Sequence, residues 1–314
     1  MSVIVFGSIN LDLVAKTPRL PIAGETLTGH HFLTAGGGKG ANQAVAAARL
    51  GVPAQMVGRV GGDSFGQELL ASLQAAGVDT AGVLIDSDAH SGVAMIAVDD
   101  AGENSIIIVA GANGRVKILD VERLIKLLPG AKALLLQLEI PLTTVLLAAA
   151  AGQNAGIPVI LDPAPARPDI PDGLYPLIDI ITPNEIEAAQ LVGFPVNDPE
   201  TAAKAADELR SRGAGTAIVK LGAQGVFCAS AAESFFVPAF PIEAVDTVAA
   251  GDAFNGALAA AIATGLSLHQ AVIWGAAAGA LCASKAGAQP SMPDRQTFDA
   301  FLKERTQSFP GHRA

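Results

Sequence analysis

Ala244–Leu258 reads AVDTVAAGDAFNGAL, which sets two acids, a run of small residues and the start of an apolar helix in one short stretch. After Asp246 and Thr247, the residues Val248, Ala249, Ala250 and Gly251 present little side chain, so another molecule can approach the backbone closely. Phe254, Ala257, Leu258 and Ala261 then recur at helical spacing, which puts Gly251 and Asp252 in the first turn of a helix. Unpaired amides and the positive end of the helix dipole face outward at such a turn, and phosphate binds well there. Asp252 is then either an ordinary first-turn carboxylate or a base aimed at whatever those amides hold.

The same string resembles the carboxy-terminal signature of the ribokinase-like (PfkB) carbohydrate kinases, D-T-x-x-A-G-D-x-F-x-G. The resemblance implies that Asp252 is the general base, that Gly251 helps form the anion hole, and that Asp246 belongs to a monovalent-cation site.

The whole chain narrows the class. Its 314 residues suffice for one large α/β domain with a small appendage, and half of them are hydrophobic. A net charge of −10 and a pI near 4.9 argue against a nucleic-acid surface, which needs a basic stripe to neutralise phosphates. Cys228 and Cys282 form neither a paired-ligand nor a redox spacing, which argues against disulfides and structural zinc and fits a reducing cytoplasm. The amino terminus lacks a basic segment before its apolar run, so Val3–Phe6 reads as a buried strand rather than a signal. Residues 253–284 contain no Asp, Glu, Lys or Arg, yet Thr264, Gly265 and Ser267 divide them into two helices too short for a bilayer. The expectation is a soluble enzyme.

Along the chain, Val3–Ile9 reads as a central strand followed by Asn10 and Asp12 at its carboxyl end, the edge where open α/β sheets bind ligands. An Asx turn accounts for the same two residues. Thr34–Asn42, TAGGGKGAN, reads as a glycine-rich loop before an Ala-rich helix from Ala41 to Leu50. No Ser or Thr follows Lys39, so it is not a Walker P-loop, and Gly7 does not open a GxGxxG fingerprint. Ala54–Val60 reads as a strand, and Ser64 with Gln67 as the start of the next helix. Gly92–Val98 and Ser105–Val109 form a hairpin that, with Thr26–Phe32, makes a small sheet outside the main one: a lid, a dimer clasp or an ornament. From Val121 onward, helices and strands alternate as in a parallel sheet covered on both faces. Glu139 follows one of these strands; Asn184 and Glu187 have capping-box spacing at the start of a helix.

Against these residues the family resemblance is extensive, running from Gly7 to Phe301 with LQLEIP at Leu136, DPAPA at Asp162, GANG at Gly111 and GAQPS at Gly287 in family order. It implies one doubly wound, mostly parallel α/β domain over 1–314, with lid strands inserted at about 13–33 and 91–110. It assigns Asn10, Asp12, Gly37, Gly38, Lys39, Asn42 and Glu139 to the sugar. Asn184, Lys220, Gly222, Gly225 and Gly251 fall to ATP, and Glu187 to the hydration shell of magnesium. Asp246, Val248, Cys282, Lys285, Gly287 and Ser291 fall to potassium. Two residues depart from the common pattern of the nucleotide half: Lys220 replaces a hydroxyl residue and Ala276 an Asn beside adenine, while Asp162 stands for a frequent Asn of DPAPA.

The activity so implied is transfer of the γ-phosphoryl group of ATP to O5 of ribose, by a homodimer paired through its lid, with Mg²⁺ and an activating K⁺. The rivals are a kinase for another sugar or a nucleoside and a catalytically silent sugar-binding protein. A silent protein would have lost Asp252 or the glycine hinge; a dehydrogenase lacks its fingerprint.

Overall fold

The computed structural model describes residues 2–306. β1 (Ser2–Phe6) shows how the larger of its two sheets is built. Val3, Ile4, Val5 and Phe6 are all fully buried, because helices cover both faces of a central strand. Val3 and Val5 belong to one apolar cluster, Ile4 and Phe6 to the other, so the alternation of the strand divides the core into two layers.

β2 (Asn10–Lys16) and β3 (His31–Gly37) leave this sheet, and the chain returns through α1 (Lys39–Arg49), β4 (Ala54–Gly61), α2 (Ser64–Ala75) and β5 (Val78–Asp86). β6 (Gly92–Val98) and β7 (Asn104–Val109) are a second excursion. Alternation then resumes with α3 (Ile118–Leu127), β8 (Ala131–Leu136), α4 (Leu142–Asn154), β9 (Val159–Leu161), β10 (Ile180–Ile181), α5 (Glu185–Val192), α6 (Pro199–Ser211) and β11 (Thr216–Lys220). β12 (Gly225–Ala229) and β13 (Ser234–Pro238) precede the closing helices α7 (Ala250–Ala263), α8 (Leu268–Ala283) and α9 (Arg295–Thr306).

The larger sheet runs β13-β12-β11-β10-β9-β8-β1-β4-β5, parallel except at the β11-β12 and β12-β13 pairings. This is the mostly parallel α/β arrangement that the alternating pattern predicts. The smaller sheet runs β3-β2-β6-β7. Its first two strands correct the sequence reading. β1 stops at Phe6, and Asn10 and Asp12 are not loop residues past its end but open β2, paired with Gly37 and Ala35 of β3. Thr34–Gly37 is likewise strand rather than loop, and Lys39 already begins α1. The apolar residues Ile9, Leu11 and Leu13 supply the alternation that makes this possible, interleaved with Asn10 and Asp12. Two further differences are local. Asp63 rather than Ser64 caps α2, accepting the Gly66 amide, and β5, β12 and β13 are strands that the periodicity did not predict.

The apolar stretch near the carboxyl end divides as expected, with Ser267 and Gln270 forming a capping box at the start of α8. Among the described residues no helix is long and apolar enough to cross a membrane.

Candidate active site

The start of β2 carries Asn10 and Asp12 on one side of the strand, 3% and 8% exposed. Their surroundings explain the glycines opposite. A Cβ on Gly37 would lie 2.3 Å from both carboxylate oxygens of Asp12, so no larger residue leaves that carboxyl its place. Gly38 then adopts φ 86°, which turns the chain from β3 into α1. The Lys39 amide at the head of α1 donates to Glu139 Oε2 at 3.2 Å, and the Ser8 hydroxyl donates to the same oxygen at 2.5 Å. Asn113 fixes the other wall: its Nδ2 donates to Asn10 Oδ1 at 2.7 Å while its amide group brackets Ile9, accepting at 2.9 Å and donating at 3.0 Å. Burial, with the nearby charges of Glu139 and Asp252, pushes the Asp12 carboxyl up to about 7. Near neutrality it can therefore both donate and accept, as binding a sugar hydroxyl requires.

Asp252 faces this cluster from the first turn of α7. Ala249 precedes the helix at φ 60°, the left-handed region that a non-glycine residue seldom occupies. Asp252 is 5% exposed, and each of its oxygens accepts one side-chain bond, Oδ2 from Asn42 Nδ2 at 2.9 Å and Oδ1 from Gln43 Nε2 at 3.1 Å. Burial pushes its carboxyl up to about 6; Lys39 opposes that rise, Asp162 adds to it, and the bonds from Asn42 and Gln43 moderate it. The Lys39 ammonium is in turn held charged against burial by Asp252, Asp162, Glu139 and Glu187. One cation thus stands among four acids from four segments of the chain.

The other side of Asp252 belongs to the ends of β9 and β11. Lys220 Nζ donates to Asp162 Oδ1 at 3.2 Å, and both side chains are nearly buried, 13% and 3% exposed. The ammonium lies 6.0 Å from the Phe254 ring centroid and 3.4 Å from where a Cβ on Gly251 would stand, beside the amides that open α7. Two of the residues at which this chain differs from common family usage, Lys220 and Asp162, therefore face each other as one charge pair. Asn184 pairs with Lys220 as an isolated parallel bridge and forms a reciprocal capping box with Glu187. Burial and the charge of Asp162 raise the Glu187 carboxyl, against Lys220, the Asn184 amide and Lys39. Gly222 and Gly225 bound the turn from β11 into β12.

A third group sits behind the glycine hinge. Asp246 accepts the Val248 amide at 3.0 Å through Oδ1 and the Gly287 amide at 2.9 Å through Oδ2. The Cys282 thiol and Ser291 hydroxyl lie 2.9 Å apart, and the Cys282 sulfur reaches the Val248 carbonyl at 3.6 Å. Lys285 is the exception, an exposed residue whose amide closes the turn onto the Cys282 carbonyl.

Sequence reasoning missed Ser8, Gln43, Asn113 and Gln137. Gln43 is fully buried; beyond Asp252, its Nε2 donates to Asp162 Oδ2 at 3.0 Å, and its Oε1 accepts from Gln137 Nε2 at 2.6 Å. Its only signal was a place next to Asn42. Asn113 lies inside the GANG string, where order along the chain was visible and contact with Asn10 was not.

Residues 1–295 match the model of the pfkB family carbohydrate kinases. The chain belongs to this family. It is similar to the ribokinase of Haemophilus influenzae, 42% identical over 299 residues that span 95% of this chain and 97% of that protein. In three dimensions it resembles Arabidopsis thaliana ribokinase complexed with ribose and ATP, at a TM-score of 0.88 and 36% identity, covering 96% of this chain and 98% of the other. A putative ribokinase II from E. coli, in complex with ATP and Mg²⁺, is similar at a TM-score of 0.82 and 26% identity, with coverage of 96% and 99%.

Proposed function

We propose that this chain is a ribokinase, transferring the γ-phosphoryl group of ATP to O5 of D-ribose. The observation that carries the reading is Asp252: a buried carboxylate in the first turn of α7, facing Asn42, Lys39 and Asp12 on the sugar side and Lys220 on the nucleotide side. Asn10, Asp12, Gly37, Gly38, Lys39, Asn42 and Glu139 hold the sugar so that its hydroxyl meets Asp252, which takes the proton. Asn184, Lys220, Gly222 and Gly225 receive ATP, and the amides at Gly251 stabilise the charge that develops on the moving phosphoryl group. Such a reaction needs positioning and charge stabilisation more than covalent chemistry. The neutral-to-ionised range of Asp252, near 6, suits a base working at physiological pH. The test is an ATP-consumption screen over pentoses, deoxyribose, hexoses and nucleosides, with the phosphorylated position read by phosphorus NMR; preference for another acceptor overturns the ribose assignment.

Glu139→Ala and Asp12→Ala are each expected to raise the ribose KM by roughly 5- to 150-fold, the effect of losing a buried hydroxyl contact of about 1–3 kcal/mol, and to change the ATP KM much less. Parent-like ribose binding in both variants counts against it.

Magnesium fits the nucleotide side. Among the described residues no group of three or more His, Cys, Asp or Glu side chains could hold a metal ion unaided, and Glu187 supplies one acid, a donor set suited to a hydrated ion shared with nucleotide phosphates. When bound, it neutralises phosphate charge. Potassium fits the group behind the hinge, where Asp246 and Ser291 supply hard oxygen ligands with the carbonyls of Val248, Cys282, Lys285 and Gly287. Asp246 already ties Val248 to Gly287, so an ion there would stiffen the segment that aims Gly251. Turnover is expected to be higher in potassium than in sodium at matched ionic strength, with the difference largely lost in Asp246→Ala. Equal rates in potassium, sodium and tetramethylammonium buffers overturn the cation assignment.

The smaller sheet is the proposed lid and dimer clasp. Phe32, Met95 and Ile107, 62%, 50% and 60% exposed, share one face of it by their register, while Ile106 and Ile108, each 49% exposed, lie on the other; the first three form an apolar patch of the kind that marks an interface. Sedimentation is expected to give a dimer for the parent and a monomer for Ile107→Glu; a parent that sediments as a monomer rejects the clasp.

A further inference from the structure

Gln43 lies outside every group of residues assigned above, yet both hydrogens of its amide nitrogen and its oxygen are committed inside the site. It is fully buried. Its amide nitrogen has two hydrogens, and both are spent on carboxylates: Asp252 Oδ1 at 3.1 Å and Asp162 Oδ2 at 3.0 Å. Its oxygen accepts from Gln137 Nε2 at 2.6 Å, which leaves the amide only one orientation, nitrogen toward the acids. The chain of bonds does not stop there, since Asp162 Oδ1 accepts from Lys220 Nζ at 3.2 Å. A continuous path runs from Gln137 on one strand end through Gln43 and Asp162 to the ammonium beside Gly251.

We propose that Gln43 is the positioning residue of phosphoryl transfer, clamping the Asp252 carboxylate to Asp162 and, through Asp162, to Lys220, so that base and phosphate-side cation keep one relative placement. The inference rests on the kinase reading above and deepens it. Its physical basis is the presence of two acids where one is needed. Asp162 adds a second negative group beside the base, and two buried carboxylates repel unless donors lie between them. Gln43 is that donor. A hydrocarbon of the same size would leave both oxygens without it, and a third carboxyl would worsen the repulsion.

The charged and titratable groups facing Asp252 are Lys39 from α1, Asp12 from β2, Asp162 after β9 and Cys282 from α8, with Lys220 of β11 acting through Asp162. Of these, Lys39 favours the ionised base, and the acids oppose it. Loss of the Gln43 bond therefore makes Asp252 easier to protonate, while loss of the Asp162 charge makes it harder.

The experiment compares kcat against pH for the full-length enzyme and for Gln43→Met, Gln43→Glu and Asp162→Asn, with ATP and ribose saturating. Ribose-dependent ATP turnover by the parent, measured first, reports on the kinase reading independently: its absence sinks that reading, while near-parent turnover in an Asp252→Asn control removes Asp252 as the base, whatever Gln43 does. In Gln43→Met the acid limb is expected to move up by about one pH unit, the effect of one lost bond to a charged group. Turnover should recover as pH rises, with the ribose KM little changed. Gln43→Glu keeps the shape should the Met variant fold poorly, and its limb is expected to move up at least as far. Asp162→Asn is expected to move the limb the other way. Packing alone would lower kcat equally at every pH, so an unmoved acid limb in both Gln43 variants overturns the proposal.

Discussion

Asp252→Asn is expected to lower turnover by roughly 10²–10⁴ while leaving ribose affinity much closer to that of the parent. The amide has the size of the carboxyl and can still accept from one of its two neighbours. Asn42 Nδ2 and Gln43 Nε2 both donate to Asp252, however, and an amide offers only one accepting oxygen, so one of those bonds is replaced by opposed donors. The substitution removes the base and disturbs its frame together. Circular dichroism and thermal unfolding separate these effects, because the kinetic loss is expected in a protein that keeps its helical signal. Single-turnover rates should fall with kcat, and near-parent turnover in a folded variant would remove Asp252 from the mechanism.

The largest effect on stability is expected at Arg59→Met, far from the chemistry. Arg59 is 3% exposed on β4; its Nε donates to Asp120 Oδ2 at 2.9 Å and its Nη1 to Asp86 Oδ2 at 2.8 Å, with Arg115 also reaching Asp86 at 2.9 Å. Both acids are buried, so deleting the guanidinium takes from Asp120 its ion-pair partner and leaves Asp86 with Arg115 alone of its two. Removing one partner of a buried ion pair costs about 3–5 kcal/mol, a large part of the stability of an ordinary domain. Urea unfolding should show a lower midpoint. The pH dependence has a defined sign. Burial opposes ionisation of Asp86, but the Asp88 amide, Arg59 and Arg115 outweigh it and hold the carboxyl below its ordinary 3.8. A lowered acid contributes stability above its unfolded value and loses it as pH falls through the folded one. The gap between parent and variant should therefore narrow below about pH 4. A gap that persists unchanged into acid would mean that Arg59 acts through packing of its stem.

What the sequence by itself determined was whatever repeats locally. Val3–Phe6 announces a strand covered on both faces, Phe254, Ala257 and Leu258 announce the α7 face, and Ser267 with Gln270 marks where two buried helices part. Each of these is decided by neighbours a few residues away, so composition and period carry it. The signature around Asp252 and the glycine-rich stretch at Gly36–Asn42 could likewise be read as strings. Only the tertiary structure decided what those strings meet. Asn42 and Asp252 are 210 residues apart in the chain, and Lys220 and Asp162 are separated by 58; no local period encodes contacts at such distances. Asn10 and Asp12 show the same limit at short range. Their identity was legible, but their place in β2 depended on a pairing with β3 across an intervening turn. Gln43 marks the boundary most clearly. In sequence it is one polar residue in an Ala-rich helix; in the folded chain it joins two acids and a second glutamine, because helix α1 and the strand ends happen to converge there, and electrostatics in a buried site depends on that convergence.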